Sequence, residues 1–219
     1  MCGVLYFRGN SEQHKKLIIN LLYQSRIRGL HAFGVSLRTI SKEEFQTVRT
    51  FDLEAAEEFI LQNKFTELIG HCRYDTSGDW KVIGNNQPIV IGNSILAFNG
   101  VVRMSTREEY QNEFFREYTT ENDGEIVLRM LVEGDHRLEN LLEEEQVSFA
   151  GVARVNGKMI ALRNERRPLW KVTMKDALFV FSTEDIFVRA VRSVSSNAQQ
   201  YANLTHLQVP PMERTWLRL

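Results

Sequence analysis

An Asn-Gly dipeptide between two alternating apolar runs is the feature that most constrains the fold of this chain. The stretch VSFAGVARVNGKMIALRN turns at Asn156-Gly157, and Asn-Gly favours the two-residue turn that joins antiparallel strands. A second pair of apolar runs, QPIVIGN and SILAFNGVV, is separated by glycine and asparagine, which predicts another hairpin. The chain is therefore expected to contain an antiparallel sheet.

Segments with helical periodicity lie on both sides of these hairpins. Apolar residues recur at helical spacing from Ser11 to Arg28, and Ser11 is the expected cap. Residues 54–65 form an amphipathic pattern with acidic residues in the first turn, where the helix dipole favours them. Further helices are predicted over 107–118, 125–135, 137–145 and near 185–193, and further strands over 2–7, 32–40, 67–76 and 177–183. This order of elements predicts an α+β fold built in layers.

The composition is that of an ordinary globular protein. The 219 residues suit one domain spanning 1–219, with an extended or loosely packed C-terminal tail from about residue 200. Formal net charge is −1, so no global field attracts nucleic acid or an acidic membrane surface. No secretory signal and no apolar run of ~20 residues is present, and we expect a cytoplasmic protein. No P-loop or Rossmann glycine pattern supports ATP or NAD binding.

The two cysteines are too few for a disulfide framework or a cysteine-based zinc site. Cys2 nevertheless stands directly after the initiator methionine, in the opening MCGVLYF. One interpretation is a small buried thiol in a first strand. The other is that Met1 is removed, which would leave a cysteine carrying a free α-amino group. Such a residue holds a nucleophile and a base together.

Four further stretches carry glycine and polar residues at the ends of predicted elements. They are RGLHAFG (28–34), HCRYDTSG (71–78), NNQP with FNG (85–88 and 98–100), and NDGE (122–125). Each alone is typical of a turn or a structural ion pair. Together with Cys2-Gly3, and in this order, they resemble the class II glutamine amidotransferase domain, a member of the N-terminal nucleophile hydrolases. GVARVNGKMIALRNERRPL and VFSTED extend the resemblance over most of the chain.

The resemblance implies a four-layer αββα fold and an acyl-transfer reaction. Cys2 would attack the side-chain amide of glutamine to form a thioester, with its own α-amino group as the base. The side-chain amide of Asn99 and the backbone N–H of Gly100 would stabilise the oxyanion. No metal or organic cofactor is implied.

The same resemblance assigns substrate-binding residues. Arg73 would hold the α-carboxylate of glutamine through its planar fork. Asp123 would face the α-ammonium group, and Arg28 and Thr76 would lie near the nucleophile and the pocket. Glutamine is the expected small-molecule substrate, and no nucleic acid or membrane partner is expected.

The chain departs from the family pattern at three places. His31 stands in an Arg-Gly segment that often continues with Asp-Ser, Phe98 precedes Asn-Gly where histidine is common, and Gly124 occupies the middle of Asp-x-Glu. None of these changes removes a group that the chemistry needs. We expect His31 to be structural, and Cys72 to be buried and inert.

Three functions are compatible with this pattern. The first is a stand-alone glutaminase domain that supplies ammonia to a separate synthase. The second is a hydrolase of a γ-glutamyl amide or peptide, because the same site would recognise any γ-glutamyl group. The third is a regulatory subunit that keeps the fold without catalysis, although Cys2, Arg73, Asn99, Gly100 and Asp123 are all retained.

Overall fold

Two antiparallel sheets and the helices on their outer faces make up the described part of the chain. The computed structural model describes residues 1–40, 44–194, 199–211 and 215–216. The strands are β1 Gly3–Gly9, β2 Ala32–Thr39, β3 Phe45–Thr50, β4 Phe65–Arg73, β5 Ile89–Ile91, β6 Ser94–Val101, β7 Ser148–Val155, β8 Lys158–Arg163, β9 Trp170–Thr173, β10 Ala177–Phe181, β11 His206–Gln208 and β12 Thr215–Trp216. The helices are α1 Ser11–Ser25, α2 Leu53–Gln62, α3 Arg107–Phe114, α4 Gly124–Glu133, α5 Arg137–Glu143, α6 Glu184–Arg192 and α7 Gln199–Ala202.

The strand order shows how the two sheets are assembled. The larger sheet has the order β11-β9-β10-β1-β4-β2-β3, and the smaller has the order β12-β8-β7-β6-β5. The Asn156-Gly157 turn joins β7 to β8, with Val155 opposite Lys158. Both hairpins expected from the sequence are therefore present, because β5 and β6 also pair, with Ile91 opposite Ser94.

Alternation along β1 shows how the layers are packed. Leu5 and Phe7 point to a core shared with α1, α2 and α6, whereas Val4 and Tyr6 point to the smaller sheet. On β6, Ala97 faces the larger sheet. Leu96 and Phe98 face α3, α4 and α5. The layers thus run helix, sheet, sheet, helix, and the expected four-layer αββα fold is confirmed.

Several predicted boundaries shift. Asn10, rather than Ser11, caps α1 by accepting a hydrogen bond from the Glu12 N–H. The helix predicted over 54–65 ends at Gln62, and Phe65 begins β4. The helix predicted over 107–118 stops at Phe114, because Phe115 adopts a left-handed conformation.

The C-terminal segment is more ordered than the sequence suggests. Its α7 carries the buried Tyr201, β11 pairs with β9, and β12 pairs with β8. Val209 is fully buried, and its N–H donates to the Leu169 carbonyl. Of the two expectations for this tail, extended backbone is found at β11 and β12, whereas loose packing does not hold at the buried Tyr201 and Val209. Residues 212–214 and 217–219 lie outside the described residues. None of the helices described is long and apolar enough to cross a membrane.

Candidate active site

The register of β1 places Cys2 at one end of the space between the sheets. Gly3 lies opposite Cys72 on β4, so Cys2 comes level with the end of that strand. By alternation, Cys2 shares the inter-sheet face with Val4. Its side chain is 5% exposed, and its Sγ contacts the backbone of Tyr74, lying 3.3 Å from the nitrogen and 3.4 Å from the oxygen. The short N-terminal strand thus fixes the thiol in a buried pocket.

The surroundings of this thiol keep it protonated. Burial raises the pKa of Cys2, although the hydrogen bond with Tyr74 and the charges of the N-terminus and Arg73 oppose the rise. A buried thiol of this kind needs a base at the moment of attack. Burial lowers the pKa of the Met1 amino group, and the charges of Arg28 and Arg167 lower it further. The nearest amine is therefore biased toward its neutral, proton-accepting form.

Asn99 lies beside the Cys2 backbone on the facing sheet. Its Oδ1 accepts a hydrogen bond from the Cys2 N–H at 2.8 Å. Its Nδ2 is buried and has no hydrogen-bond partner among the described residues. A buried donor without a partner is rare in folded proteins and calls for an explanation in terms of strain or function.

Gly100, the next residue, is required by sterics. Its φ is +155°, and a Cβ there would lie 1.9 Å from the Ser148 carbonyl oxygen on β7. No residue with a side chain fits without moving the sheet. The chain therefore runs past Asn99 as an uninterrupted strand, instead of forming the hairpin turn that an isolated Asn-Gly pair suggests.

Arg28 approaches the same place from the turn that follows α1. Its Nε donates to the Cys2 carbonyl oxygen at 2.9 Å, and its Nη2 lies 3.5 Å from the Met1 Sδ. Met1 itself is 57% exposed. The predicted neighbourhood of Arg28 and Cys2 is thus present, and removal of Met1 would take away a residue that faces solvent.

Arg73 and Asp123 are both buried, at 2% and 0% exposure, and a loop bridges them. The Arg73 guanidinium donates to the carbonyls of Ser77 and Gly78 and to Asp75. The Ser77 hydroxyl donates to Asp123 Oδ1 at 2.7 Å. Ser77 therefore contacts both side chains that the resemblance assigns to the α-groups of glutamine, and that assignment stays a prediction.

Asp123 sits at the start of α4 among further donors. The backbone N–H groups of Val102 and Arg103 donate to its Oδ2 at 2.5 and 2.9 Å. Burial nevertheless raises the pKa of Asp123, against the lowering effect of these bonds and of the Arg73 charge. An added cation at this carboxylate would relieve part of the burial cost.

An open cleft of about 420 Å³ lies beside this loop. Thr76, Ser77 and Gly78 form one side, and residues 103–107 contribute the other. Thr76 is exposed on the cleft. Ser77 lines the cleft and contacts both Arg73 and Asp123. Those two residues, Cys2 and Asn99 are not among the described residues that line it.

Two departures from the family pattern compensate for one another. A Cβ at Gly124 would lie 2.0 Å from Cε1 of the Phe98 ring. That ring is buried and stacks on Phe149, with centroids 5.1 Å apart. Phe98 before Asn-Gly thus requires glycine in the middle of Asp-Gly-Glu.

His31, the third departure, sits between two aromatic rings. It stacks on Tyr74 at 5.0 Å and on Trp80 at 5.2 Å between ring centroids. Its Nδ1 accepts from the Asp75 N–H at 2.9 Å. The histidine thereby anchors both ends of the loop that carries Thr76 and Ser77, in agreement with the structural role expected for it.

Sequence reasoning gave no role to the side chains of the NNQP stretch. The carbonyl of Asn85 and the Oδ1 of Asn86 accept hydrogen bonds from Arg73, and Gln87 Oε1 accepts from the Phe98 N–H at 2.7 Å. All three residues are buried. The consecutive amide side chains before the proline could have indicated these contacts, because buried amides must find hydrogen-bond partners.

Cys72 is fully buried on the opposite face of β4, in the core beneath α1. Burial raises the pKa of its thiol. Within the described ranges, no three His, Cys, Asp or Glu side chains are grouped so that they could hold a metal ion.

Comparison with known proteins relates this architecture to solved structures. No protein-family model matches the chain, and no curated protein sequence matches it. A glutamine phosphoribosylpyrophosphate amidotransferase from B. subtilis, complexed with ADP and GMP, is 20% identical with a TM-score of 0.70, over 96% of this chain and 46% of that one. An allosteric regulatory enzyme of purine biosynthesis is 22% identical with a TM-score of 0.69, over 96% and 45%.

A shorter protein gives a more complete match in length. The glutamine aminotransferase class-II domain protein from Silicibacter pomeroyi is 11% identical with a TM-score of 0.51, over 83% of this chain and 88% of that one. The chain spans less than half the length of the two longer proteins. At these identities the likeness concerns the fold alone, and the chain shares its αββα fold with these proteins.

Proposed function

We propose that this protein hydrolyses L-glutamine to glutamate and ammonia through a thioester on Cys2, after removal of Met1. The observation that carries the proposal is the side chain of Asn99. One of its atoms accepts a hydrogen bond from the Cys2 nitrogen, while the other is a buried donor without a described partner. Acyl transfer needs a positioned nucleophile and a preorganised donor, and this residue serves both needs.

Removal of Met1 would turn the Cys2 amide nitrogen into a primary amine at the same position. Asn99 Oδ1 would then orient that amine by accepting one of its N–H bonds. Arg28, bonded to the Cys2 carbonyl, would disfavour the protonated amine as it does at Met1. The free amine is then ready to take the proton of the Cys2 thiol.

The reaction proceeds in two balanced steps. In the first, the thiolate attacks the side-chain carbonyl carbon of glutamine, and the protonated amine returns its proton to the departing ammonia. The product of this step is the γ-glutamyl thioester. In the second, water attacks the thioester, the amine takes a proton from that water, and glutamate leaves while the thiol is restored. Both steps pass through a tetrahedral oxyanion, to which Asn99 Nδ2 and the Gly100 N–H would donate.

Recognition of the glutamine α-groups falls to Arg73 and Asp123. Both contact Ser77, which lines the cleft, and their charges match the α-carboxylate and the α-ammonium group. Ser77 contacts both in this structure. For glutamine to bind, Ser77 would therefore have to lose its contacts with Arg73 and Asp123, or both side chains would have to contact Ser77 and glutamine together.

An ammonia-accepting synthase is the partner that we propose for this reaction. The fold described here matches 46% of the B. subtilis glutamine phosphoribosylpyrophosphate amidotransferase. The acceptor-using part would then come from another chain or region. We expect slow glutamine turnover by the protein alone, and faster turnover when the synthase and its acceptor are added.

Steady-state assays test this proposal. The protein should release ammonia and glutamate from glutamine, Cys2→Ala should abolish the activity, and Cys72→Ala should keep it. Cleavage of a γ-glutamyl peptide at a far higher kcat/KM than glutamine would favour the hydrolase alternative. Full activity of Cys2→Ala would rule out the thioester mechanism.

A further inference from the structure

Side chains hold the Phe98 backbone on the edge of β6 that faces away from β7, while β7 pairs along the other edge with Gly151 opposite Phe98. His71 Nε2 lies 3.0 Å from the Phe98 carbonyl oxygen, and Gln87 Oε1 lies 2.7 Å from the Phe98 nitrogen. His71 is 1% exposed, Gln87 is 3% exposed and Phe98 is 2% exposed. Both peptide units that flank Phe98 are therefore fixed in a water-free environment.

The register of the smaller sheet explains why side chains are used here. Ile89 on β5 lies opposite Leu96 on β6, and continuing that pairing would bring Gln87 opposite Phe98. Strand β5 begins only at Ile89, so the β5–β6 ladder stops short of Gln87. The Gln87 amide oxygen reaches the Phe98 N–H in place of a strand carbonyl.

His71 reaches the same point from the larger sheet. It lies opposite Val4 on β1, whose side chain faces the smaller sheet. Since a carbonyl only accepts, Nε2 must carry the proton, which leaves Nδ1 as an acceptor that is buried without a partner among the described residues. Burial and the Arg73 charge lower the pKa of His71 to about 3, so this donor remains neutral and keeps its tautomer.

The carbonyl that His71 holds belongs to the peptide leading directly into Asn99. Resting on the proposed function, we propose that His71 and Gln87 are positioning residues, which hold the Phe98 backbone so that Asn99 Nδ2 and the Gly100 N–H meet the oxyanion. Neither side chain touches the substrate. Misplacing oxyanion donors weakens transition-state binding more than ground-state binding, so their loss lowers kcat rather than raising KM.

Variants of His71 test this proposal. We expect His71→Leu to lower kcat by about 10-fold or more with KM nearly unchanged. His71→Gln, whose amide can donate from a similar place, should recover kcat to within about 3-fold of the wild type. His14→Leu is the matched control, because His14 is 2% exposed on α1, where its ring packs on Phe7 and Phe179, and its loss should leave kcat unchanged.

A double-mutant cycle separates positioning from general loss of structure. In an Asn99→Ala background, adding His71→Leu should lower kcat by a smaller factor than in the wild type, because one of the two donors that His71 positions is gone. An equal cost in both backgrounds, or a folded His71→Leu variant with wild-type kcat, would overturn the proposal. Gln87→Met gives a second variant with the same expected kcat loss if His71→Leu does not fold.

Amide hydrogen exchange of residues 97–100 gives a readout independent of turnover. Exchange should accelerate at least about 10-fold in His71→Leu and return toward the wild-type rate in His71→Gln. An inactive wild-type protein would defeat the proposed function, while the exchange rates would still decide whether His71 holds the strand. Unchanged exchange in His71→Leu would overturn the positioning proposal by itself.

Discussion

Replacing Gly124 by alanine tests whether Phe98 and Gly124 are matched. The new Cβ would meet Cε1 of the Phe98 ring at 2.0 Å, well inside van der Waals contact. The ring cannot easily move, because it stacks on Phe149 and its backbone is held by Gln87 and His71. Overpacking of this kind costs about 1–3 kcal/mol, and we expect the upper end. Alanine regains at most about 1 kcal/mol of helix propensity, which leaves a net loss of about 2 kcal/mol.

Urea unfolding measures this loss. With a slope of about 2 kcal/mol per molar, the midpoint should fall by about 1 M. Gly84→Ala is the matched control, because a Cβ at Gly84 meets nothing within 4 Å, and its midpoint should stay nearly unchanged. Phe98→Ala alone should cost about 3–5 kcal/mol, but adding Gly124→Ala to it should cost little more. A midpoint for Gly124→Ala equal to that of Gly84→Ala, or an equal cost of Gly124→Ala with and without Phe98→Ala, would show that Phe98 and Gly124 are not matched.

Three further measurements address the site. Asn99→Asp keeps the acceptor but replaces the free donor by a negative charge, so kcat for glutamine should fall by about 10²–10³ while KM changes far less; an effect on KM alone would contradict the oxyanion role. Arg73→Lys loses the planar fork and should raise KM by about 10-fold, and an unchanged KM in steady-state assays would exclude this contact with the α-carboxylate. The pKa of His71 falls from 6.5 to about 3 on folding, so its contribution to the unfolding free energy should decrease by about 1.4 kcal/mol per pH unit as pH drops below 6.5. In urea unfolding, the unfolding free energy of His71→Gln should therefore decrease less steeply at acid pH than that of the wild type. Identical slopes would refute the burial argument.

Local patterns predict much of this fold. The Asn156-Gly157 hairpin, the cores of the long helices and the apolar strand runs follow from turn chemistry and periodicity, which act within a few residues. Edge strand β3 and the short β9 were not predicted, because they carry few apolar residues and depend on pairing partners distant in sequence. The C-terminal boundary predicted for the helix over 54–65 is wrong for a similar reason, because Phe65 pairs with Thr39 in the sheet.

The site shows the same division. The motif order identified Cys2, Asn99 and Arg73 as candidates, and the structure brings Cys2 and Asn99 into direct contact from strands in different sheets. The roles of His71 and Gln87 could not be predicted, because each depends on where the two sheets meet. Ser77 lies in the HCRYDTSG stretch, but the sequence did not indicate that it contacts both Arg73 and Asp123.

In the proposed mechanism, Cys2 with a free α-amino group is the nucleophile. The most direct test of this role is mass spectrometry of the untagged protein after treatment with an electrophilic analogue of glutamine, such as 6-diazo-5-oxo-L-norleucine. We predict a chain that has lost Met1 and carries one adduct, located on Cys2 by peptide mapping, with Cys72 unmodified. An adduct confined to Cys72, or an active preparation in which Met1 is fully retained, would contradict the mechanism.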